Sequence, residues 1–544
     1  MPTACGALGR YDPAILAELA SRVGPELRQV HSDVRSALWL DREPLVWNGG
    51  GYRGIGWSER LPERTPDASG WLEAAKSGGL GLVVERERRF LHASASGIGA
   101  LYWTSTPDTV YFATRVEPLA RAIPGSRSPD WQSWASIVAL GYPCEDDTPF
   151  TEVKRLDPLG VIEDVNGREP QTRSGELGWA EVEPDDAPGV AEETVERAGE
   201  EIADLDGDRA LICPLTGGFD SRLVASLLVA RGREFATYTV NNDTGTEREE
   251  EQAAAVASEL GVPHTTIDWP ASAFVDDLLR GLQLVEYQTV LRPHLTRLGA
   301  GLPDPEAAVV DGFDIFIKNR FATPAVLDAP TTRDAAATMF TRMAPERQRF
   351  DFFDTGAWHA LREAALARFL LAAERFDGHP NAPTLIPYWQ RMRRGISLSP
   401  MVLVGHRHAV AMPLLGDEVV RTTLRVSHRA KLGQRFYRRV LDVANPAVAC
   451  LPSTNDDLPR PGRTRRRLDR SRRARRLYLE LLAASPLRPW FSAQFEAAIE
   501  RGKLGPALRT GWGVGRVHTL CNLTLWTQRH RELLTDVDPA PLFG

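Results

Sequence analysis

At 544 residues the chain is long enough for two or more domains with ample core, and its apolar and charged fractions, 43% and 25%, are ordinary for a soluble globular protein. A formal net charge of −7 gives no global reason to expect nucleic acid or an anionic membrane as partner. Five scattered cysteines form no CxxC pair, which argues against a zinc site or a disulfide framework and fits a reducing cytoplasm. No apolar run approaches the ~20 residues of a membrane span, and the N-terminus lacks the basic-then-apolar order of a secretion signal.

The first part of the chain reads as mostly β. Leu80–Val84, Arg89–Ala93 and Thr109–Ala113 are short apolar runs between polar turns. Arg168 to Pro188 is polar, with three prolines and two adjacent acids, and reads as a linker. Beyond it, Val195, Ala198, Ile202 and Leu205 fall at helical spacing. A strand then runs into Thr216, a second strand covers Phe235–Val240, a helix Gln252–Leu260, and a third strand Thr265–Asp268. Strands alternating with helices imply a parallel sheet, with ligand at the carboxyl ends of the strands. From about Phe340 onward the pattern is mainly helical.

The most informative stretch is Leu211–Arg222, reading LICPLTGGFDSR. An apolar strand ends at Leu215, a Thr-Gly-Gly turn follows, then Asp220, Ser221 and an apolar helical run. This order makes an anion site: amide groups and a helix N-terminus point at phosphates, and glycine lets the backbone approach. Asp220 supplies a hard oxygen for the Mg²⁺ that accompanies a nucleotide. The loop resembles the Ser-Gly-Gly-x-Asp-Ser loop of the ATP pyrophosphatases, with threonine for the first serine, and the Gly-Lys-Ser/Thr of a P-loop is absent.

Further segments, in one order, resemble the asparagine synthetase family. Ala253, Val256, Ala257, Leu260, Gly261 and His264 match the helix after the family's second strand. Val309–Asp314 stands where the family has Ser-Gly-Glu-Gly-x-Asp-Glu, Arg407–Asp417 is similar to its Arg-x-Pro-Phe-Leu-Asp segment, and Leu451-Pro452-Ser453 resembles its proline-bearing turn. The N-terminal half is similar to the family's glutamine-hydrolysing domain. Cys5-Gly6-Ala7 is like the Cys-Gly-Ile start, Gly97–Trp103 and Val110–Ala113 match two further segments, and Asn48-Gly49-Gly50 is a partial echo of the glutamine-binding part. Met1 removal would expose Pro2, so Cys5 has no α-amine to activate it. The resemblance therefore implies a two-domain α/β protein. Residues 1–185 form an inactive, Ntn-hydrolase-like β-sandwich; 190–544 form a doubly wound parallel-sheet ATP pyrophosphatase domain with a mainly helical C-terminal part.

It also implies an ATP- and Mg²⁺-dependent, AMP-forming ligase that adenylates a carboxylate and passes it to an amine. Leu215, Thr216, Gly217, Gly218, Asp220, Ser221, Val240 and Gly312 would bind the nucleotide, with Thr216, Gly217, Gly218 and Ser221 cradling pyrophosphate and Val240 lying against adenine. Asp220 and Asp314 would share Mg²⁺. Asp311 holds the position of the family's catalytic acid or tyrosine. The family's glutamate after its second aspartate is Ile315 here, and its late lysine has no clear counterpart, for which Lys431 is the first choice, before Lys318 or an arginine of the run Arg460–Arg476. Members with inert N-terminal domains close lasso-peptide or β-lactam rings or amidate small molecules, so the expected partners are a small-molecule or peptide carboxylate and amine, a precursor peptide with its protease, and a second copy in a homodimer. The alternatives are a glutamine-dependent asparagine synthetase and a non-catalytic nucleotide-binding homologue. His406 and His408 lack a third ligand at metal spacing and read as solvated or core histidines.

Overall fold

A computed structural model describes all residues except 1–2, 50–51, 58–79, 166–167, 206, 208, 242–247, 290–292, 349, 457–470 and 544. The chain forms two compact units, neither continuous in sequence: one is Met1–Trp134, Asp146–Glu181 and Thr527–Asp538, the other Ala135–Glu145, Val182–Trp526 and Pro539–Gly544.

The strands, in chain order, are β1 (Ala4–Gly9), β2 (Arg28–Ser32), β3 (Ser36–Leu40), β4 (Leu45–Gly49), β5 (Tyr52–Gly56), β6 (Gly81–Glu85), β7 (Arg88–His92), β8 (Tyr102–Thr106), β9 (Thr109–Ala113), β10 (Lys154–Arg155), β11 (Val161–Val165), β12 (Gln171–Arg173), β13 (Leu211–Pro214), β14 (Phe235–Val240), β15 (His264–Ile267), β16 (Ala308–Val310) and β17 (Ala409–Ala411).

Among the described residues, the first unit holds two six-stranded antiparallel sheets, ordered β10-β8-β9-β1-β3-β2 and β12-β11-β7-β6-β5-β4. Leu8, Leu38 and Phe112 from one sheet and Ile55, Leu82, Leu91 and Ile162 from the other share a single apolar core. Inward residues of two sheets interdigitating in this way make a β-sandwich, the layering expected for the N-terminal part. The polar stretch read as a linker is partly strand: β12 pairs with β11 through Val161–Arg173 to Glu163–Gln171, and all three of its residues are exposed. A solvated edge strand needs no apolar pattern, which is why the polarity of this stretch conceals it.

The second unit is built on a parallel sheet ordered β15-β14-β13-β16-β17. Central β13 is buried along its whole length, as a continuous apolar run in a doubly covered parallel sheet must be, whereas edge strand β15 is only half-buried or exposed. The helix Phe219–Ala230 follows β13 and is buried nearly all round, with the helix Val190–Ala203 and the helix Arg435–Ala444 packing into the same core. Leu205, expected on the first of these helices, lies beyond its end at Ala203. β16 and β17 are three residues each, too short to show a period, and only family likeness marks their positions. Helices dominate beyond residue 332, including the 20-residue Thr355–Glu374.

Candidate active site at the carboxyl edge of the parallel sheet

Because β13, β14, β16 and β17 run parallel, Pro214, Val240, Val310 and Ala411 end at one edge of the sheet. From β13 the chain turns through Leu215–Gly218 into the helix that begins at Phe219. Thr216 and Ser221 brace this turn. The Thr216 amide donates to Ser221 Oγ at 3.0 Å, the two hydroxyls lie 3.1 Å apart, and the Gly218 amide donates to Thr216 Oγ1 at 3.2 Å. Gly218 is the extended N-cap and no side chain caps the helix, so its positive end is open to an anion. Gly217 is needed for close packing: a Cβ there would stand 2.5 Å from Gln252 Oε1 and 2.7 Å from Thr454 Cγ2. Its carbonyl accepts from Ser453 Oγ at 2.8 Å and from the Thr454 amide at 2.9 Å. The proline-bearing segment thus docks onto the glycine turn, held further by Arg222. That fully buried guanidinium donates to the carbonyls of Leu451 and Pro452, each at 2.8 Å, and of Val448 at 3.1 Å.

The second wall comes from the end of β16. The Asp311 amide donates to the Ala411 carbonyl at 2.8 Å. Gly312 lies directly on the start of the helix Phe219–Ala230, where an added Cβ would be 2.6 Å from the Asp220 carbonyl carbon and 2.7 Å from the Ser221 amide nitrogen. Backbone cannot swing aside as a side chain can, so Gly312→Ala should cost about 1–3 kcal/mol and misplace Asp220. Urea denaturation together with nucleotide affinity would check this, and an unchanged stability would mean the two segments are not in contact.

Asp314 is buried, and its Oδ1 accepts from the amides of Phe316 at 2.8 Å and Ile317 at 3.0 Å, its Oδ2 from Lys318 at 3.3 Å. Burial and the nearby Asp220 charge push the Asp314 carboxyl upward. Burial first, and then Asp220, likewise raise Asp311, to about 6. Asp220 therefore lies within electrostatic reach of both Asp311 and Asp314. Lys318 pairs with Asp220, and its ammonium sits 5.4 Å from the centroid of the Tyr437 ring. Tyr437 stacks on Phe219 at 5.5 Å.

The sign of the Asp311 effect gives a stability prediction. Between pH 4 and 6 the folded chain holds a proton at Asp311 that the unfolded chain releases, so its contribution declines as pH rises and levels off above 6. Asp311→Asn removes this slope. The variant should gain about 3 kcal/mol over the parent at pH 8 and nothing at pH 4, as measured by denaturant unfolding at both values.

The structure therefore brings Leu215, Thr216, Gly217, Gly218, Asp220, Ser221, Asp311, Gly312 and Asp314 to one edge, with Val240 buried at the end of the neighbouring strand. It does not bring Lys431 to Asp220. Lys431 is 3% exposed, donates to the Thr423 carbonyl at 2.6 Å, and is pushed down to about 7 by burial, against the opposing pull of Asp314 and Asp186. The ammonium on Asp220 is that of Lys318, four residues past Asp314, one of the alternatives to Lys431. Arg222 and Tyr437 were missed, because nothing in their local pattern marks them. Among the described residues no three His, Cys, Asp or Glu side chains are arranged to hold a metal ion unaided. Mg²⁺ characteristically takes one or two carboxylates and completes its shell from phosphates and water, a role that the partly exposed Asp220 and the backbone-oriented Asp314 fit. His408 is buried and His406 bonds the Leu403 carbonyl, the bland roles expected for them. Most of the basic run Arg460–Arg476 lies outside the described residues. Of the rest, Arg473 pairs with Asp276 at 2.7 Å and Arg476 with Glu480 at 3.1 Å.

Residues 200–296, which carry the glycine turn and strands β13 to β15, match the asparagine synthase family model. This segment is asparagine synthase-like. The match ends before Asp311, so the second wall of the asparagine synthase-like site rests on its geometry rather than on the family model. No curated protein matches the chain. A solved structure of glutamine phosphoribosylpyrophosphate amidotransferase from B. subtilis, complexed with ADP and GMP, is similar at 8% identity, with 64% of this chain and 94% of that chain covered and a TM-score of 0.20, too low to carry an argument.

In the sandwich unit, Cys5 lies inside β1, between Trp39 of β3 and Ala113 of β9, and is 0% exposed. Burial pushes its thiol up to about 12, so at neutral pH it is not a thiolate. Asn48 is on the β4–β5 hairpin; Gly50 lies outside the described residues. Among the described residues no helix is long and apolar enough to cross a membrane.

Proposed function

We propose that this chain is an ATP-dependent amide ligase that forms AMP and pyrophosphate. The observation that carries this reading is the braced Thr216–Ser221 turn, whose uncapped helix carries Asp220 in its first turn, with Asp314 within electrostatic reach of Asp220. In this reading a substrate carboxylate oxygen attacks the α-phosphorus of ATP, and the bond from that phosphorus to pyrophosphate breaks. An amine nitrogen then bonds the acyl carbon, and the C–O bond to AMP breaks. The amides of the turn and the Thr216 hydroxyl take the charge that develops on pyrophosphate. Asp220 and Asp314 would hold Mg²⁺, which would neutralise phosphate charge. Asp311, ionised above its raised pKa, is placed to accept the proton that the amine sheds. Val240 supplies an apolar surface for adenine, and Lys318 adds positive charge beside Asp220.

The finer reading is a cytoplasmic enzyme of specialised metabolism that closes a lasso-type macrolactam or amidates a small molecule, with a precursor peptide and its protease as partners in the first case. The sandwich unit then serves as an inert scaffold, because Cys5 is sequestered within a strand and un-ionised. Exchange of labelled pyrophosphate into ATP across a panel of carboxylates tests the ligase. Carboxylate-dependent exchange with AMP released on adding amine is expected; release of ADP, or no exchange with any acid, would sink it. For the sandwich, Cys5→Ser should leave amide formation from free amines within twofold, and parent and variant alike should release no glutamate from glutamine. Glutaminase activity lost in the variant would instead favour the glutamine-dependent reading.

A further inference from the structure

Lys318 serves two of the three carboxylates at once. Its ammonium pairs with Asp220, while its amide donates to Asp314 Oδ2 at 3.3 Å. It is not a surface ion pair: the lysine side chain is 12% exposed, and its ammonium lies over the Tyr437 ring, which is itself stacked on Phe219. Asp220 is 30% exposed, so the pair is half-buried, and the lysine end is held by the packing around it. Against the negative charges of Asp220, Asp311 and Asp314 stand two lysines, Lys318 paired with Asp220 and Lys431 within electrostatic reach of Asp314. A second divalent ion would have to displace Lys318 from Asp220. Position 315, next to Asp314, carries a buried isoleucine and offers no further oxygen.

We infer that Lys318 is a resident cation of this site. It occupies the side of Asp220 that a divalent ion would otherwise share with Asp314, so the protein alone binds such ions weakly and the loaded site holds one, delivered with the nucleotide. The inference rests on the nucleotide-site reading only in this last part. Mn²⁺ binding to the full-length chain, followed by the loss of the free-ion electron paramagnetic resonance signal, tests it without nucleotide. Lys318→Met, which keeps the stem against Tyr437, and Lys318→Gln should each bind Mn²⁺ at least about tenfold more tightly than the parent. Asp220→Asn added to Lys318→Met should return the affinity to the parental value. Unchanged Mn²⁺ affinity in both single variants, shown to be folded by their thermal transitions, would overturn the inference. With a non-hydrolysable ATP analogue the parent should hold one Mn²⁺ per chain and Lys318→Met two; equal counts also count against it. An analogue that binds to none of the proteins refutes the nucleotide site and leaves the nucleotide-free comparison to decide the role of Lys318.

Discussion

Asp220→Asn is expected to lower ATP–pyrophosphate exchange at least about 100-fold while leaving the fold intact. Asp220 takes part in several of the electrostatic relations at the site. It sits in the first turn of an uncapped helix, pairs with Lys318, and raises the carboxyls of both Asp311 and Asp314. Asparagine keeps the shape but removes the charge that a metal ion needs. The structural effects oppose each other. Loss of the helix-dipole and Lys318 interactions destabilises, each by a fraction of a kcal/mol to about 1 kcal/mol, whereas relief of repulsion on two buried carboxylates stabilises. Tm should therefore move by only a few degrees. Exchange within fivefold of the parent, in a folded variant, would remove Asp220 from the catalytic reading.

The largest structural loss is expected at Arg222. Arg222→Met fills much of the same volume and keeps the apolar stem, but deletes the donors to Val448, Leu451 and Pro452. An unpaired buried carbonyl costs about 1–3 kcal/mol, tempered where water reaches it, so a net loss of about 3 kcal/mol, about 4 °C in Tm for a unit of this size, is expected. Function should suffer beyond stability. The segment that Arg222 anchors is the one whose Ser453 and Thr454 hold the Gly217 carbonyl, and so fix the plane of the turn. Nucleotide affinity should fall even at temperatures where the variant is fully folded. Arg222→Lys, with a single ammonium that reaches fewer carbonyls, should recover part of both. Calorimetry and nucleotide titration of the three proteins measure this. A normal affinity in folded Arg222→Met would show that the turn keeps its shape without the anchor.

Asp220 and Arg222 stand two positions apart in the same helix but differ in how visible they are in the sequence. Asp220 stands out in sequence because the chemistry of a strand, a glycine turn and an acid is local: β13 announces itself by an unbroken apolar run, the turn by its two glycines, and the helix by its apolar spacing. The parallel sheet was legible for the same reason, through β14 and β15, each long enough to show its composition. Its other half was not, since β16 and β17 are short and far away in sequence, and only the family likeness placed Asp311, Gly312 and Asp314 beside the turn.

What the chain's sequence determined by itself was thus the anion-binding turn, the β-rich first part, the alternating second part and the helical end, each a short-range pattern of apolar spacing and turn residues. What only the tertiary structure decided was which distant groups meet there. It set Lys318 rather than Lys431 on Asp220, folded Arg222 under a loop more than 200 residues away, and buried Cys5 within a sheet. The physical reason is that a charge or a hydrogen-bond donor acts through a few ångströms of space, and its partners are chosen by packing over the whole unit, a constraint that leaves no mark on the residues beside it in the chain.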